Sequence, residues 1–263
     1  FATELGTSNV SRLYFANRLK ELVLGGFAVA LATAILPLLS RQALETDRRE
    51  FKDTLAFALR LIAFVTVPAT VGLIVLRFPI LRVLLQGGAF RADDTRATAD
   101  VLAALSAGLF FFAAVRIVVP AFYALKQTRI PVAAALADCA VFLGGCFLLA
   151  PRLGLPGIGL ASSIAAAVNV GILLVVLRRR EGGLRGREIA ASVIRSGVAA
   201  VVMGAALVAA LRFADPAAMR GLPAAATLGA LIAAATALYW FAALLLGAPE
   251  PAELSRVVRR RRA

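Results

Sequence analysis

An uninterrupted apolar run from Leu22 to Leu39 constrains this chain more than any other feature of its sequence. A helix rises about 1.5 Å per residue, so a run of this length can cross the hydrocarbon core of a membrane. Four polar residues come just before it: Asn17, Arg18, Lys20 and Glu21. Because charged side chains are costly against lipid, we expect this patch to face a polar cavity or another protein surface.

The helix containing this run is predicted to extend from Val10 to Ser40, which is too long for one straight crossing. It should project beyond the lipid or bend at Gly25-Gly26. Arg18 lies one turn before Glu21, so an ion pair between the two is one interpretation of the patch. The other interpretation is an anion site, because a guanidinium matches phosphate geometry and keeps its charge when buried.

Composition extends the membrane interpretation to the whole chain. Hydrophobic residues make up 61% of the 263 residues, and the mean hydropathy is +0.87, far above that of a soluble globular protein. The sequence therefore predicts an all-α polytopic membrane protein. The net charge of +14 could indicate nucleic-acid binding. The basic residues instead collect between apolar runs, as in cytoplasmic loops, so no nucleic-acid partner is expected.

About seven transmembrane helices are predicted. After the first, the crossings are expected near residues 55–76, 99–125, 131–150, 155–177, 189–211 and 222–246. Residues 78–85 form a short amphipathic segment that is predicted to lie along the membrane interface. Counted by side, sixteen lysines and arginines fall on one side of this layout and seven on the other. The positive-inside rule then places in the cytoplasm the loops 41–54, 124–130 and 178–188 and the basic tail 248–263.

Several kinds of chemistry are excluded by the residues that are missing. The chain has no histidine, which rules out histidine bases, triads and metal clusters, and no cofactor or metal site is predicted. Cys139 and Cys146 are seven residues apart in one helix, about 10 Å, which is too far for a disulfide. A membrane enzyme would need an acidic cluster near the interface. The one close acidic pair in an outer loop, Asp93 and Asp94, suits the start of a helix.

Four ionisable residues fall within later crossings. Arg60 and Arg195 are near enough to cytoplasmic ends to serve as anchors. Arg116 follows about four apolar turns and could either reach the cytoplasmic interface or contribute to the anion site. Asp138 is a lone carboxylate that could pair with Arg116, bind Na⁺ or carry a proton, which makes it a candidate for energy coupling.

Four motifs then resemble one protein family. They are YFANRLKELVLGGFAVALATAILPLLS (14–40), LLQGGAFRADDT (84–95), PAFYALKQTRIPV (120–132) and GIGLASSIAAAVN (157–169). At these intervals the chain resembles the C-terminal half of the MurJ/MviN lipid II flippases, within the multidrug/oligosaccharidyl-lipid/polysaccharide exporter superfamily. The resemblance covers about residues 1–180. The last two crossings fit the family's two extra helices in kind, although they carry no motif.

The resemblance implies a fourteen-helix transporter with two lobes around a cationic cavity, of which this chain would hold helices eight to fourteen. Residues 1–180 would form the C-terminal lobe, residues 181–247 the appended helix pair, and residues 248–263 the tail. The family flips lipid II, an undecaprenyl-pyrophosphate-linked peptidoglycan precursor, to the periplasmic leaflet of the bacterial inner membrane by alternating access. The implied partners are lipid II, membrane lipids and a missing N-terminal lobe. Arg18 matches the family's cavity arginine, and Arg116 falls where a basic residue is usual.

Three departures from the family pattern affect the expected site. Asn17 replaces an aspartate that could pair with Arg18, and Val23 replaces a proline. Phe142 and Cys146 stand where some members carry Na⁺-coordinating side chains, which favours protons or membrane potential over Na⁺ as the energy source for transport.

The candidate substrate-binding residues are Asn17, Arg18, Lys20, Glu21 and Arg116. An exporter of another polyprenyl-linked glycan, or a multidrug antiporter, is the alternative; the basic residues argue against cationic drugs.

Overall fold

The computed structural model describes residues 7–87, 91–183, 185–214, 216–219 and 221–250. Within these residues every long element is a helix. The helices are α1 (Thr7–Leu24), α2 (Ala30–Gln42), α3 (Arg49–Leu85), α4 (Ala92–Ser106), α5 (Leu109–Ala124), α6 (Arg129–Leu153), α7 (Leu155–Glu181), α8 (Gly186–Phe213) and α9 (Leu222–Leu245). Nearly all of the predicted tail, from residue 251 onward, lies outside the described residues.

By length and composition, the chain is a multi-pass membrane protein. Six helical segments are long and apolar enough to cross a membrane, and α1 with α2 counts as one of them, Asn9–Gln42. The helices α4 and α5 form a seventh crossing if the 45° bend between them is allowed. The predicted all-α fold with about seven crossings is confirmed, while the third crossing is broken and begins earlier than residue 99.

The first crossing is interrupted at Gly25-Gly26, where a bend was one of the two predicted outcomes. A π-helical turn, Gly25–Val29, separates α1 from α2. Such turns widen the backbone hydrogen-bond ring by one residue and commonly occur at functional sites. An added Cβ at Gly25 or Gly26 would meet no atom within 4 Å, so neither glycine is required by close packing.

The second crossing is longer than the sequence predicts. Residues 78–85 do not form a separate interfacial segment, because α3 continues without interruption through Pro68 and Pro79 to Leu85. Its 37 residues correspond to about 55 Å of helix. The prediction was wrong because Ile80 and Leu81 are buried against neighbouring helices, so the amphipathic face finds a protein partner rather than the membrane surface.

At the break between α4 and α5, all four carbonyls of the last turn of α4 accept a hydrogen bond. Two of these carbonyls, Ala103 and Leu105, accept bonds from the N–H groups of residues 107 and 108. The other two accept from side chains: Ser163 Oγ donates to Ala104 O at 2.8 Å and Thr70 Oγ to Ser106 O at 3.1 Å. Because lipid offers no donors, a broken helix at membrane depth requires such partners.

Two helices, α8 and α9, pack beside α3 at the edge of the bundle. Pro68 of α3 has no N–H, so the carbonyl of Phe64 loses its usual helical donor. The hydroxyl of Tyr239, from α9, donates to this carbonyl at 2.8 Å. On α8, Gly204 allows close approach to α3, because an added Cβ would lie 2.6 Å from Val71 Cγ1. Together these contacts fix the pair against α3.

Candidate functional site

A polar cavity of about 260 Å³ lies between α1, α5, α6 and α7. We call it the polar cavity. Phe112, Val115, Phe142 and two alanines supply its apolar wall. Its polar lining consists of Glu21, Arg116, Asp138, Ser162 and Asn169. Three of the residues singled out from sequence, on three different helices, therefore meet at one cavity.

Glu21 joins two basic residues at the rim of this cavity. Its Oε2 accepts a hydrogen bond from Arg116 Nη2 at 2.6 Å, and its Oε1 lies 3.6 Å from Lys20 Nζ. The Arg116 and Glu21 side chains are 31% and 37% exposed, so the pair is open on one side. The single carboxylate leaves these two cations with a net positive charge of one.

Lys20 is the most buried of these ionisable groups, with only 6% of its surface exposed. Its ammonium lies 4.1 Å from the centroid of the Phe112 ring. A cation over an aromatic face is attracted by the ring quadrupole, and the attraction grows when water is excluded. The lysine thus places its amino group between α1 and α5.

Asp138 does not pair with Arg116, which was one interpretation of the sequence. Arg116 is bonded to Glu21, and the Asp138 carboxylate lies near the side chain of Asn169 on α7, which lines the same cavity. The Asn169 Oδ1 is buried and has no hydrogen-bond partner. The cavity therefore holds a carboxylate and an amide, and the amide oxygen is an unused acceptor.

Arg18 and Asn17 lie on the exposed face of α1 rather than in the polar cavity. Arg18 Nε donates to the Tyr14 hydroxyl at 2.9 Å, and the guanidinium lies 4.9 Å from the centroid of that ring. The interpretation in which Arg18 pairs with Glu21 is therefore wrong. A second cavity, of about 490 Å³, is lined by Arg18 and Glu21 and by Phe15, Leu19, Leu22, Leu84 and Leu85. Glu21 lines both cavities and connects the two.

A third space, the apolar groove, has a volume of about 420 Å³. It runs along α3, between that helix and the α8–α9 pair. Its lining is aliphatic and aromatic apart from the hydroxyls of Thr236 and Tyr239 and the indole of Trp240. The groove can accept a hydrocarbon chain but has no charged group to hold a head group.

Sequence reasoning did not assign a role to Tyr14, Ser162 or Asn169. Ser162 and Asn169 are seven residues apart, so they lie two turns apart on one face of α7, and this spacing was the available signal. Tyr14 precedes Arg18 by four residues, so the two lie one turn apart on one face of α1, and this spacing was the available signal for their contact. Among the described residues, no group of three or more acidic or cysteine side chains is placed to hold a metal ion.

Comparison with known proteins shows which family the chain is similar to. The sequence model of a family described as "Lipid II flippase MurJ" matches residues 1–226, most of the chain.

The chain belongs to the lipid II flippase MurJ family.

Individual relatives agree with this assignment. A protein of Rhizobium meliloti, named "Probable lipid II flippase MurJ", is 32% identical over 258 residues, which cover 95% of this chain and 48% of the relative. A protein of Bdellovibrio bacteriovorus with the same name is 30% identical over 212 residues, covering 81% of this chain and 40% of the relative. The chain thus spans less than half the length of these two curated MurJ relatives.

A solved structure of the MurJ family shares the fold. The structure titled "Lipid II flippase MurJ, inward closed conformation" superposes with a TM-score of 0.72 at 25% sequence identity. The match covers 93% of this chain and 48% of the solved one. Sequence and structure comparisons therefore agree on the family and on the fraction of a family member that the chain represents.

Proposed function

We propose that this chain is the C-terminal half of a lipid II flippase, which moves lipid II from the cytoplasmic to the periplasmic leaflet of the bacterial inner membrane by alternating access. Its homologues are named as flippases, and the chain spans less than half of the relatives described above. In this proposal the missing half supplies the opposite wall of the transport cavity. Residues 1–180 form one lobe, residues 181–247 the appended pair, and residues 248–263 the cytoplasmic tail.

One observation supports this function above all: a cationic cluster and an apolar groove occur in the same bundle. Lys20, Glu21 and Arg116 carry a net positive charge of one at the rim of the polar cavity, whose lining also holds the Asp138 carboxylate. The groove has a volume of about 420 Å³, and its lining contains no charged side chain. A pyrophosphate head group attached to a long polyprenyl tail has the matching chemistry, because guanidinium groups bind phosphate and hydrocarbon binds hydrocarbon.

The exposed stripe of α1 completes the proposed substrate path. Asn17 and Arg18 point away from the rest of the described bundle, and Tyr14 holds the guanidinium on this side. In a two-lobed transporter this face of α1 lines the central cavity, where Arg18 contacts the pyrophosphate together with Arg116. Because Arg18 has no carboxylate partner among the described residues, its charge is available to an anion.

Asp138 is the proposed coupling residue. Its carboxylate lies in the polar cavity with Asn169 and within the same lining as Arg116. Protonation of this carboxylate would change the net charge of the cavity and thereby its affinity for an anionic head group. Protons or the membrane potential are favoured over Na⁺, because Phe142 contributes an aromatic ring to the cavity and Cys146 is buried in the core.

The test is complementation in bacteria that lack their own flippase. We expect Arg18→Ala to abolish growth while the protein stays in the membrane, and Arg18→Lys to restore growth only partly, since a lysine cannot make a bidentate phosphate contact. Arg195→Ala is the matched control and should support growth, because Arg195 is an exposed residue in the first half of α8 that donates to the Gly247 carbonyl and lines none of the three cavities described above. Full growth with Arg18→Ala would disprove the anion-site proposal.

The rival substrates are other polyprenyl-linked glycans and cationic drugs. To test the first rival, transport of lipid II by vesicles containing the protein is compared with transport of a lipid-linked glycan that has a different sugar composition. For a cationic drug we expect no saturable transport, because Arg18 and Arg116 of the proposed substrate path repel cations. Drug transport that survives Arg116→Ala would favour the antiporter instead.

A further inference from the structure

A small basic cavity lies at the turn between α5 and α6, away from the polar cavity. Its volume is about 230 Å³. Its lining consists of Lys126, Gln127, Thr128, Arg129, Ile130 and Arg180. Three residues of the turn and the first two residues of α6 therefore meet one residue from the last turn of α7. The positive-inside distribution of charge places this turn on the cytoplasmic side.

The turn has a fixed backbone shape. Lys126 adopts a left-handed conformation with φ 58°. Its N–H donates to Tyr123 O and the N–H of Gln127 donates to Phe122 O, each at 2.9 Å. These two bonds form a Schellman motif, which closes the end of α5. The motif holds Lys126 three residues before α6 begins at Arg129.

The N-terminus of α6 opens on this cavity without a cap. Thr128 precedes the first helical residue, but its side chain makes no capping hydrogen bond. The first backbone N–H groups of α6, at Arg129 and Ile130, are therefore available, whereas Pro131 has none. Free N–H groups and the helix dipole favour an anion at such a position.

Three cations line the cavity and no carboxylate does. Lys126, Arg129 and Arg180 make no ion pair in the part of the chain that the structure describes. Glu181 follows Arg180 directly, but its carboxylate lies 3.7 Å from Arg48 Nε. Its backbone carbonyl accepts from Lys52 Nζ at 2.9 Å. The nearest acidic residue in sequence is therefore committed to α3.

This cavity is separate from the proposed transport site. Ten residues separate Arg116 from Lys126 along α5, and eleven separate Asn169 from Arg180 along α7. At about 1.5 Å per residue, this corresponds to roughly 15 Å along the helix axes. One anion cannot occupy both places.

We propose that this cavity is a second anion site, which binds the phosphate group of a ligand at the cytoplasmic surface of the membrane. Two sources supply this chemistry: the phosphodiester head group of an anionic lipid in the inner leaflet, and a soluble phosphate. Bound phosphate would bridge the α5–α6 turn to the end of α7. The site does not depend on the identity of the transported substrate.

The test measures binding rather than transport, so its outcome is independent of the proposed function. The full-length protein is purified in detergent, and adducts with phosphatidylglycerol and with phosphatidylcholine are compared by native mass spectrometry. Inorganic phosphate is titrated separately by equilibrium dialysis. The test variant is the triple substitution Lys126→Gln, Arg129→Gln and Arg180→Gln.

The matched control removes three charges from the same side of the membrane but outside the cavity. Its substitutions, Arg178→Gln, Arg179→Gln and Arg187→Gln, all fall on exposed residues. We expect the test variant to bind phosphatidylglycerol about tenfold less tightly than this control, because local contacts are lost as well as net charge.

Each outcome decides the proposal. A selective loss of phosphatidylglycerol binding supports the site with a lipid head group as its ligand, and a selective loss of inorganic phosphate binding supports it with a soluble ligand. Equal binding by the test variant and the control in both arms overturns the proposal. Binding of neither probe by the unmodified protein does so too. Elution at the native volume in size-exclusion chromatography shows that both variants are folded.

Discussion

The polar cavity and the apolar groove are built from neighbouring helices but by opposite means. In the polar cavity, Glu21 is shared between Lys20 and Arg116 at the rim, and Asp138 adds a second carboxylate to the lining. In the groove, one tyrosine hydroxyl bonds to a backbone carbonyl, and nearly all other surface is hydrocarbon. The cavity therefore concentrates ionisable groups from three helices, whereas the groove presents an uncharged lining.

The largest expected effect comes from the cavity. Arg116→Ala removes the partner of Glu21 at 2.6 Å and eliminates the positive charge that the cluster offers to a phosphate. We expect binding of a pyrophosphate-linked lipid to weaken about tenfold or more, since hydrogen bonds to charged groups are worth about 1.5–3 kcal/mol. Native mass spectrometry with lipid II measures the change. Arg195→Ala is the matched control, and an equal loss in both variants would contradict a specific role for Arg116.

A bulky residue in the groove should have the next largest effect. Gly72 lines the groove, and a Cβ added there would meet no atom within 4 Å, so Gly72→Phe fills space without disturbing the backbone. We expect transport to fall about fivefold, with little change in binding of a short-tailed substrate analogue. The comparison would use vesicle transport assays with long-tailed and short-tailed substrates.

The control for the groove variant is Gly229→Phe. Gly229 also has open space around it but lies on an exposed face of α9, outside the groove. It should leave transport unchanged. If both variants reduced transport equally, the groove would have no special role in accepting the lipid tail.

Lys20→Met separates packing from charge in the polar cavity. Methionine can occupy the buried position against Phe112, and it removes a desolvated ammonium. We expect anion affinity to fall about threefold while thermal stability is maintained or rises. Calorimetric titration with a soluble pyrophosphate and a thermal unfolding curve measure the two quantities. Unchanged affinity would show that Arg116 and Arg18 alone provide the positive charge.

Tyr239→Phe should have the smallest effect. The variant leaves the Phe64 carbonyl without a donor, because Pro68 cannot supply one. We expect a loss of about 1 kcal/mol in stability, the usual net value of one hydrogen bond. Tyr123→Phe, at an exposed tyrosine, is the matched control and should leave the melting temperature unchanged. An equal shift in both variants would mean that this bond does not hold α9 on α3.

The positions of the crossings could be predicted from sequence because lipid imposes a simple rule on them. A backbone in hydrocarbon must satisfy its own hydrogen bonds, so long apolar runs become helices of membrane length. This rule correctly placed six apolar segments. It failed at residues 78–85, because their amphipathic face packs against protein rather than the membrane surface.

The partners of the charged residues could not be predicted in the same way. The sequence offered Arg18 as a partner for Glu21 because the two lie on one face of a helix. In the structure, the Glu21 carboxylate instead contacts Lys20 and Arg116, and Arg116 is 95 residues away. Arg18 donates to the hydroxyl of Tyr14. A contact between distant residues depends on how helices are arranged, and spacing within one helix carries no information about it.

The sequence by itself determined that this chain is a helical membrane protein of the MurJ family with basic residues at its first crossing, because hydropathy and motif spacing are properties of local sequence. Only the tertiary structure decided which charges meet in a cavity, how the break after α4 is satisfied by Thr70 and Ser163, and where α9 binds α3. Each of these depends on a donor from one helix reaching an acceptor on another, which requires the helices to be packed first.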